Sequence, residues 1–361
     1  MMRPLNTLLI AVTYVLLVEL PTFAQESGEM LRFDGAPNLE LDVTSAALQK
    51  VVDGVLFESA ISQQSVRPFD RILFNGTIRD SNLVLQVRYR QLEGEWSDWQ
   101  NTRRRVFKNG RFWARLDIAE AANKMQYRFL DRGITVPARI EIYAVEVLLM
   151  GKQPKPGEGV PKLQQQQIFF FPNDSIPQPP IITRDQWGAN PPIGIYVPHS
   201  PFRFTQHHTA GRRVSTLEDG LDEQRFIQDF HQNGRGWQDI GYHFCMDDSG
   251  RIYEGVPPDF RGTHVGGNNT GNIGISLFGN FEIDGEFSTD KSLESLVEIW
   301  SWLSFDYIVN PDSLFGHRDF NPTACPGKNV YPELVGLRDG IRKALGFGAP
   351  FVVNPMPQPF S

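Results

Sequence analysis

An imidazole and a thiol stand eight residues apart late in the chain, in Gly316-His317-Arg318-Asp319-Phe320-Asn321-Pro322-Thr323-Ala324-Cys325-Pro326-Gly327. Upstream, Phe204-Thr205-Gln206-His207-His208-Thr209 offers a histidine pair. One imidazole of that pair with His317 and Cys325 makes three N/S donors. Three protein ligands leave one tetrahedral position open to water, which separates a catalytic zinc from a closed structural one. The flanking residues suit the task, since His207 closes a strand-like run and Pro322 with Cys325-Pro326-Gly327 stiffens the loop. A cysteine with a histidine also spells nucleophile and base. That reading is weaker, because Pro326 removes a backbone donor that would favour a thiolate at Cys325.

Elements able to position these side chains follow from periodicity. Leu221–Gln232 places Phe226, Ile227 and Phe230 at helical spacing, and Gly234-Arg235-Gly236 breaks the pattern. Strands are predicted at Tyr242–Met246, Arg251–Glu254 and Ile273–Phe278, the first two joined by the turn Asp247-Asp248-Ser249-Gly250. Leu293, Leu296, Val297, Trp300 and Leu303 mark an amphipathic helix, and a last helix starts at Pro332. Strands interleaved with helices predict an α/β domain over residues 181–347, a central mixed sheet flanked by helices.

The first half reads differently. Leu83–Arg90 alternates apolar and polar residues, as do Phe112–Ile118, Met125–Phe129 and Arg139–Leu149, with Asn-Gly and Arg-Gly turn signals between them. Strands without helices predict an all-β, sandwich-like accessory domain over residues 67–150. Trp96, Trp99 and Trp113 fit either a core or a sugar-stacking surface. Residues 25–66 are weakly patterned and stay unassigned, apart from a strand at Leu39–Val43. Residues 151–180 are rich in Lys, Pro, Gly and Gln and read as a linker, with Ile168-Phe169-Phe170-Phe171 suited to docking on a neighbour. Residues 348–361 form a Pro-rich tail.

Residues 1–24 read as a signal peptide, with Arg3 before the apolar run Leu8–Val18 and small residues at Thr22 and Ala24. The apolar run is too short to span a bilayer. Export to periplasm or extracellular space is expected, with no transmembrane span after cleavage. A net charge of −7 argues against nucleic acid as a partner. The two cysteines, Cys245 and Cys325, are expected to be free thiols, one buried in a strand and one ligating.

Several motifs carry a resemblance. They are Ile181-Ile182-Thr183-Arg184-Asp185-Gln186-Trp187-Gly188-Ala189, His207-His208-Thr209-Ala210, Asp239-Ile240-Gly241-Tyr242-His243-Phe244, Ile252-Tyr253-Glu254-Gly255, Asn272-Ile273-Gly274-Ile275 and Gly316-His317-Arg318-Asp319…Thr323-Ala324-Cys325-Pro326-Gly327. In this order they resemble the peptidoglycan recognition protein and phage-lysozyme-type N-acetylmuramoyl-L-alanine amidase family, over about residues 181–346. The resemblance implies Zn2+ held by His207, His317 and Cys325, with Tyr242 as the catalytic tyrosine. Thr323 matches a position where the phage enzyme has lysine and recognition proteins usually have threonine. His264 and Asn269 resemble a loop beside the substrate groove and are expected to bind substrate.

The implied reaction is hydrolysis of the amide between N-acetylmuramic acid and L-alanine in peptidoglycan or muropeptides. Zinc would acidify a water and polarise the carbonyl, while Tyr242 stabilises the oxyanion. Some family members have lost a ligand and only bind, so the alternative is a non-catalytic recognition module. No carboxylate declares itself as general base; Glu254, Asp319 and Glu282 are available. His208, His243 and His231 read as structural, and Arg318 and Asp319 as residues orienting the ligands. After Tyr253-Glu254-Gly255 the family's arginine and Gly-Trp pair are replaced by Val256-Pro257-Pro258, so stem-peptide preference does not carry over. The animal members' disulfide is missing too, since Arg212-Arg213-Val214 has no cysteine, which points to a bacterial-type protein.

Overall fold

A computed structural model describes residues 29–33, 39–43, 54–78, 82–92, 94–131, 138–150, 171–173 and 175–347. The expected signal peptide, most of the linker and the Pro-rich tail lie outside the described residues.

The first half is all-β. Its strands are β1 (Glu29–Met30), β2 (Leu39–Val43), β3 (Val55–Glu58), β4 (Phe69–Ile78), β5 (Leu83–Gln91), β6 (Gln100–Asn101), β7 (Arg103–Val106), β8 (Arg111–Asp131) and β9 (Ala138–Leu148). Every pairing among them is antiparallel, and hydrogen bonds join them into one nine-stranded sheet. Three of the strands come from residues 25–66, where short segments leave little periodicity to read. The two strands predicted around Phe112–Ile118 and Met125–Phe129 are one strand, β8, kept continuous by pairing with strands from distant parts of the chain. Its first half pairs with β4 and β7 and its second half with β5 and β3. Phe74, Leu85, Phe112, Tyr127 and Phe129 fill the core of this sheet.

The second half holds α1 (Arg184–Trp187), α2 (Leu217–Asp229), α3 (Asp290–Tyr307) and α4 (Glu333–Ala344). Its strands are β10 (Ile181–Ile182), β11 (Arg203–His208), β12 (Phe244–Met246), β13 (Ile252–Glu254), β14 (Asn272–Leu277) and β15 (Leu314–Gly316). The sheet order is β10-β13-β12-β14-β11-β15, parallel except for the β12–β13 hairpin. The expected α/β mixed sheet is therefore present. All six residues of β14 are buried, as a strand covered on both faces requires. Leu296, Ile299, Trp300 and Leu303 of α3, with Leu337 and Ile341 of α4, pack on one face. The other face carries α2, whose Phe226, Ile227 and the following Phe230 share a cluster with Leu73, Trp113 and Leu148 of the first sheet. From the linker, Phe171 packs 5.7 Å from Phe305 and 6.0 Å from Phe347, ring to ring.

The two halves are joined by charge as well as by apolar contact. Arg111 of β8 donates from Nε and Nη2 to the two carboxylate oxygens of Glu223 in α2, each at 2.8 Å. The Arg111 and Glu223 side chains are 1% and 0% exposed. Trp113 Nε1 donates to Asp229 at 2.8 Å, which settles that tryptophan as an interface residue. Trp96 and Trp99 are half-buried under guanidinium groups, Arg88 over both and Arg128 over Trp99.

Candidate metal centre

The cluster sits where parallel strands end. Gln206 of β11 is in register with Gly316 of β15, so the next residues, His207 and His317, leave adjacent strands side by side. Their ring centroids are 4.7 Å apart. Strand alternation turns Gln206 the other way, to accept a hydrogen bond from Trp300 Nε1 at 3.3 Å. After a short 3-10 turn at His317–Asp319, the loop returns Cys325 to the same point, tied by Arg318 N–H donating to Cys325 O at 2.9 Å. One ligand atom from each of His207, His317 and Cys325 lies within 4.8 Å of the other two, and all three residues are buried. The carboxyl ends of parallel strands are where open α/β sheets place their ligands.

Hydrogen bonds set the tautomer of His207. His264 Nε2 lies 3.0 Å from Asn272 O, a pure acceptor, so that nitrogen carries the proton. Burial holds His264 well below its usual pKa and so neutral, which leaves its Nδ1 as an acceptor. His207 Nε2 stands 2.9 Å from that Nδ1 and must donate to it. The lone pair of His207 Nδ1 is thereby directed to the cluster, 3.5 Å from Cys325 Sγ. Gly274 makes room for this chain, since a Cβ there would stand 2.5 Å from His264 Nδ1.

The other two candidate ligands are also shaped for a metal. His317 Nε2 is buried without a hydrogen-bond partner. Burial lowers the His317 pKa to about 4, so the ring is neutral at pH 7. Burial pushes the Cys325 thiol up to about 12, opposed by the His208 backbone and Arg318. The His208 N–H points at Cys325 Sγ from 3.4 Å. A thiol held protonated is a poor free nucleophile, whereas a metal offsets the cost of the thiolate. An orphaned imidazole nitrogen, a directed imidazole lone pair and a thiol with one amide donor fit a thiophilic, imidazole-binding cation such as zinc.

Around the cluster, Tyr242 is half-buried with its ring centroid 5.3 Å from that of His207. Burial pushes its phenol up, so it is a proton donor at neutral pH. Thr323 lines the cleft, and its hydroxyl accepts from Cys325 N–H at 3.2 Å. His264 is 5% exposed with both ring nitrogens engaged, so it offers no free nitrogen to a substrate. Asn269 Oδ1 accepts from the backbone N–H groups of His264 and Val265 at 2.8 and 2.7 Å, and the residue is not among those lining the cleft. Of the three candidate carboxylates only Glu282 lines the cleft, paired with Arg318 at 3.5 Å. Glu254 instead accepts from Arg184 N–H, and Asp319 from Gly316 N–H and the Tyr331 hydroxyl. Cys245 and Cys325 are both free and buried.

The cleft has a cavity volume of about 140 Å3. Its lining includes residues that the motifs do not flag, among them Arg235, Trp237 and, from the first sheet, Leu31, Asn75 and Glu146. Nothing in the local sequence marks these, because only packing between distant segments brings them to the cluster.

Fold and site together define a mixed-sheet α/β domain with a His/His/Cys centre at its strand ends. Residues 199–328 match the N-acetylmuramoyl-L-alanine amidase family. Over 155 residues the chain is 34% identical to peptidoglycan-recognition protein SD of Drosophila simulans, covering 42% of this chain and 82% of that protein. It is 31% identical over 163 residues to peptidoglycan-recognition protein SC2 of Drosophila melanogaster, covering 43% and 84%. Among solved structures, Drosophila peptidoglycan recognition protein SD matches with a TM-score of 0.41 at 32% identity, over 42% of this chain and 91% of that one. The chain belongs to the family of N-acetylmuramoyl-L-alanine amidases and peptidoglycan recognition proteins. The matched family region begins after the all-β half, which it leaves out.

Proposed function

We propose that this protein is a zinc-dependent N-acetylmuramoyl-L-alanine amidase acting on peptidoglycan or its muropeptide fragments. The observation that carries the reading is the buried His207/His317/Cys325 cluster, with ligand atoms within 4.8 Å and the lone pair of His207 Nδ1 aimed into it. A module that only binds muropeptides has no need of such a centre.

His207, His317 and Cys325 would hold the zinc, and His264 keeps His207 in the ligating tautomer. Bound there, zinc supplies Lewis acidity, which acidifies a water and polarises the scissile carbonyl. Tyr242, protonated and beside His207, donates a hydrogen bond to the oxygen that becomes negative in the transition state. The Thr323 hydroxyl lies on the cleft wall and, by accepting from Cys325 N–H, fixes the backbone of that ligand. With threonine there rather than lysine, the phenol and the metal carry the electrostatic stabilisation. We assign His264 and Asn269 to shaping the site, His264 through His207 and Asn269 through its loop, rather than to direct substrate contact.

We further propose that residues 1–24 are a signal for export to periplasm or extracellular space. The strands β1, β2 and β3 join residues 67–150 in a sandwich-like accessory unit, and 151–180 link it to the amidase domain at 181–347. Among the described residues no helix is long and apolar enough to cross a membrane.

The test is zinc content together with mass analysis of digested muropeptides. The expected result is near-stoichiometric zinc and release of intact stem peptides, both lost in Cys325→Ala. Binding of muropeptide by a fully zinc-loaded wild type without any cleavage would establish the recognition module instead. Inactivation by chelator with rescue by zinc excludes the cysteine-nucleophile alternative.

A further inference from the structure

One wall of the cleft comes from the all-β half, outside the matched family region. The segment after β1 reaches the rim, where Leu31 N–H donates to Val145 O at 2.9 Å and Gln63 N–H donates to Arg32 O at 3.2 Å. The Glu29 carboxylate accepts from Val66 N–H at 2.9 Å, so the segment is pinned at Glu29, at Leu31 and at the backbone of Arg32 itself. Arg32 lines the cleft, its side chain is exposed, and among the described residues no carboxylate pairs with it. Arg235 also lines the cleft, but Glu146 of the same wall neutralises it, and its guanidinium lies 4.5 Å over the Trp237 ring. Arg32 is therefore the wall's uncompensated charge.

Besides His317 Nε2 in the cluster, three buried polar atoms of cleft-lining residues have no protein partner: Asn75 Oδ1, Arg235 Nε and Trp237 Nε1. Asn75 and Trp237 are each 8% exposed. These atoms are sealed from solvent, so the polar contact open to an occupant of the cleft is the exposed Arg32 guanidinium. An exposed guanidinium without a carboxylate partner on the cleft wall complements a peptide carrying carboxylates. A neutral glycan would leave the charge unused.

We infer that the accessory β-domain supplies a substrate subsite, in which Arg32 binds a carboxylate on the peptide arm of the substrate. The inference rests on the muropeptide reading above and extends it to residues the family region does not contain. Arg32 determines specificity and leaves the metal chemistry untouched.

The experiment uses the full chain with two ligands, an N-acetylmuramoyl peptide with free carboxylates and the same compound with them amidated. Affinities are measured by calorimetry on metal-stripped protein, and kcat/KM on the zinc-loaded form. Wild type is expected to prefer the free acid by about tenfold, the usual worth of one charge-assisted hydrogen bond. Arg32→Gln and Arg32→Glu should erase that preference while leaving amide binding, zinc content and kcat unchanged. A preference that persists in Arg32→Glu, or an equal loss for both ligands, overturns the subsite. If wild type binds the free acid preferentially in the metal-stripped form but the zinc-loaded form cuts neither, the amidase reading falls and the subsite stands. If it binds neither, both fall.

Discussion

The proton on His207 is placed by residues that never touch the metal position. A backbone carbonyl at Asn272 decides the tautomer of His264, which in turn decides that of His207. The cysteine of the cluster obeys different chemistry. Cys325 is held protonated by burial, with its thiol pushed up to about 12, while His317 is already neutral with a pKa lowered to about 4. Metal binding must therefore release the thiol proton and, above about pH 5, no imidazolium proton from His317. Apparent zinc affinity is expected to rise about tenfold per pH unit between pH 6 and 8, one proton being displaced per metal. Competition with a chromogenic chelator across that range checks the slope. A flat profile would mean that Cys325 is not a thiolate ligand.

At the scale of elements, α2 and its continuation do most of the positioning. Thr216 caps α2 by accepting from Asp219 N–H, and Glu218 and Asp219 favour its positive end. The helix then widens into a π-helical turn, Phe230–Arg235, rather than stopping at Gln232 as its periodicity suggests. That turn carries His231, whose Nδ1 accepts from Gly241 N–H at 2.9 Å and whose ring stands 5.6 Å from Tyr242. Such turns occur at functional sites, and this one sets a residue next to the Tyr242 phenol. The seat of α2 on the sheet has no slack. A Cβ at Gly220 would lie 1.9 Å from the hydroxyl of Tyr253, itself fully buried and bonded to Asp247. Gly220→Ala would gain up to about 1 kcal/mol of helix propensity on an exposed helix. Here overpacking is expected to dominate, with a net loss of about 1–3 kcal/mol in denaturant unfolding. A stabilised variant would show that α2 rides further from the sheet.

Across the whole molecule, the two halves behave as one folding unit if their buried ion pair matters as its geometry says. Glu223 is fully buried between Arg111 and Arg212. Removing its charge leaves Arg111 buried without compensation, the situation that costs about 3–5 kcal/mol. Glu223→Gln is therefore expected to lower the unfolding midpoint sharply and to do so in one transition seen from both halves. The exposed pair Arg139–Glu40, at 53% and 69% exposure, serves as the control, since Arg139→Ala should cost less than about 1 kcal/mol. Two separate transitions, with only the second-half signal shifted, would contradict a shared interface.

Much of this protein was legible before any coordinates. The His207/His317/Cys325 cluster, Tyr242 beside it and the α/β order are carried by residue type, apolar period and the motifs of the family resemblance, which are local in sequence and therefore readable. The period of α3 and the hairpin turn at Asp247–Gly250 follow from side-chain spacing and turn chemistry alone. The family resemblance could nominate His264 and Asn269 for the cleft, but only the fold showed that both His264 nitrogens and Asn269 Oδ1 are already engaged. Tertiary structure alone also turned the strand pair at 112–129 into one long strand. It sank Trp113 against Asp229, and it brought Arg32 and Asn75 to the same cleft as Arg235 and Trp237. Those decisions depend on packing between segments far apart in the chain, where no periodicity links one partner to the other. A His/His/Cys donor set is written in residue types, whereas the wall that faces it exists only once two sheets meet.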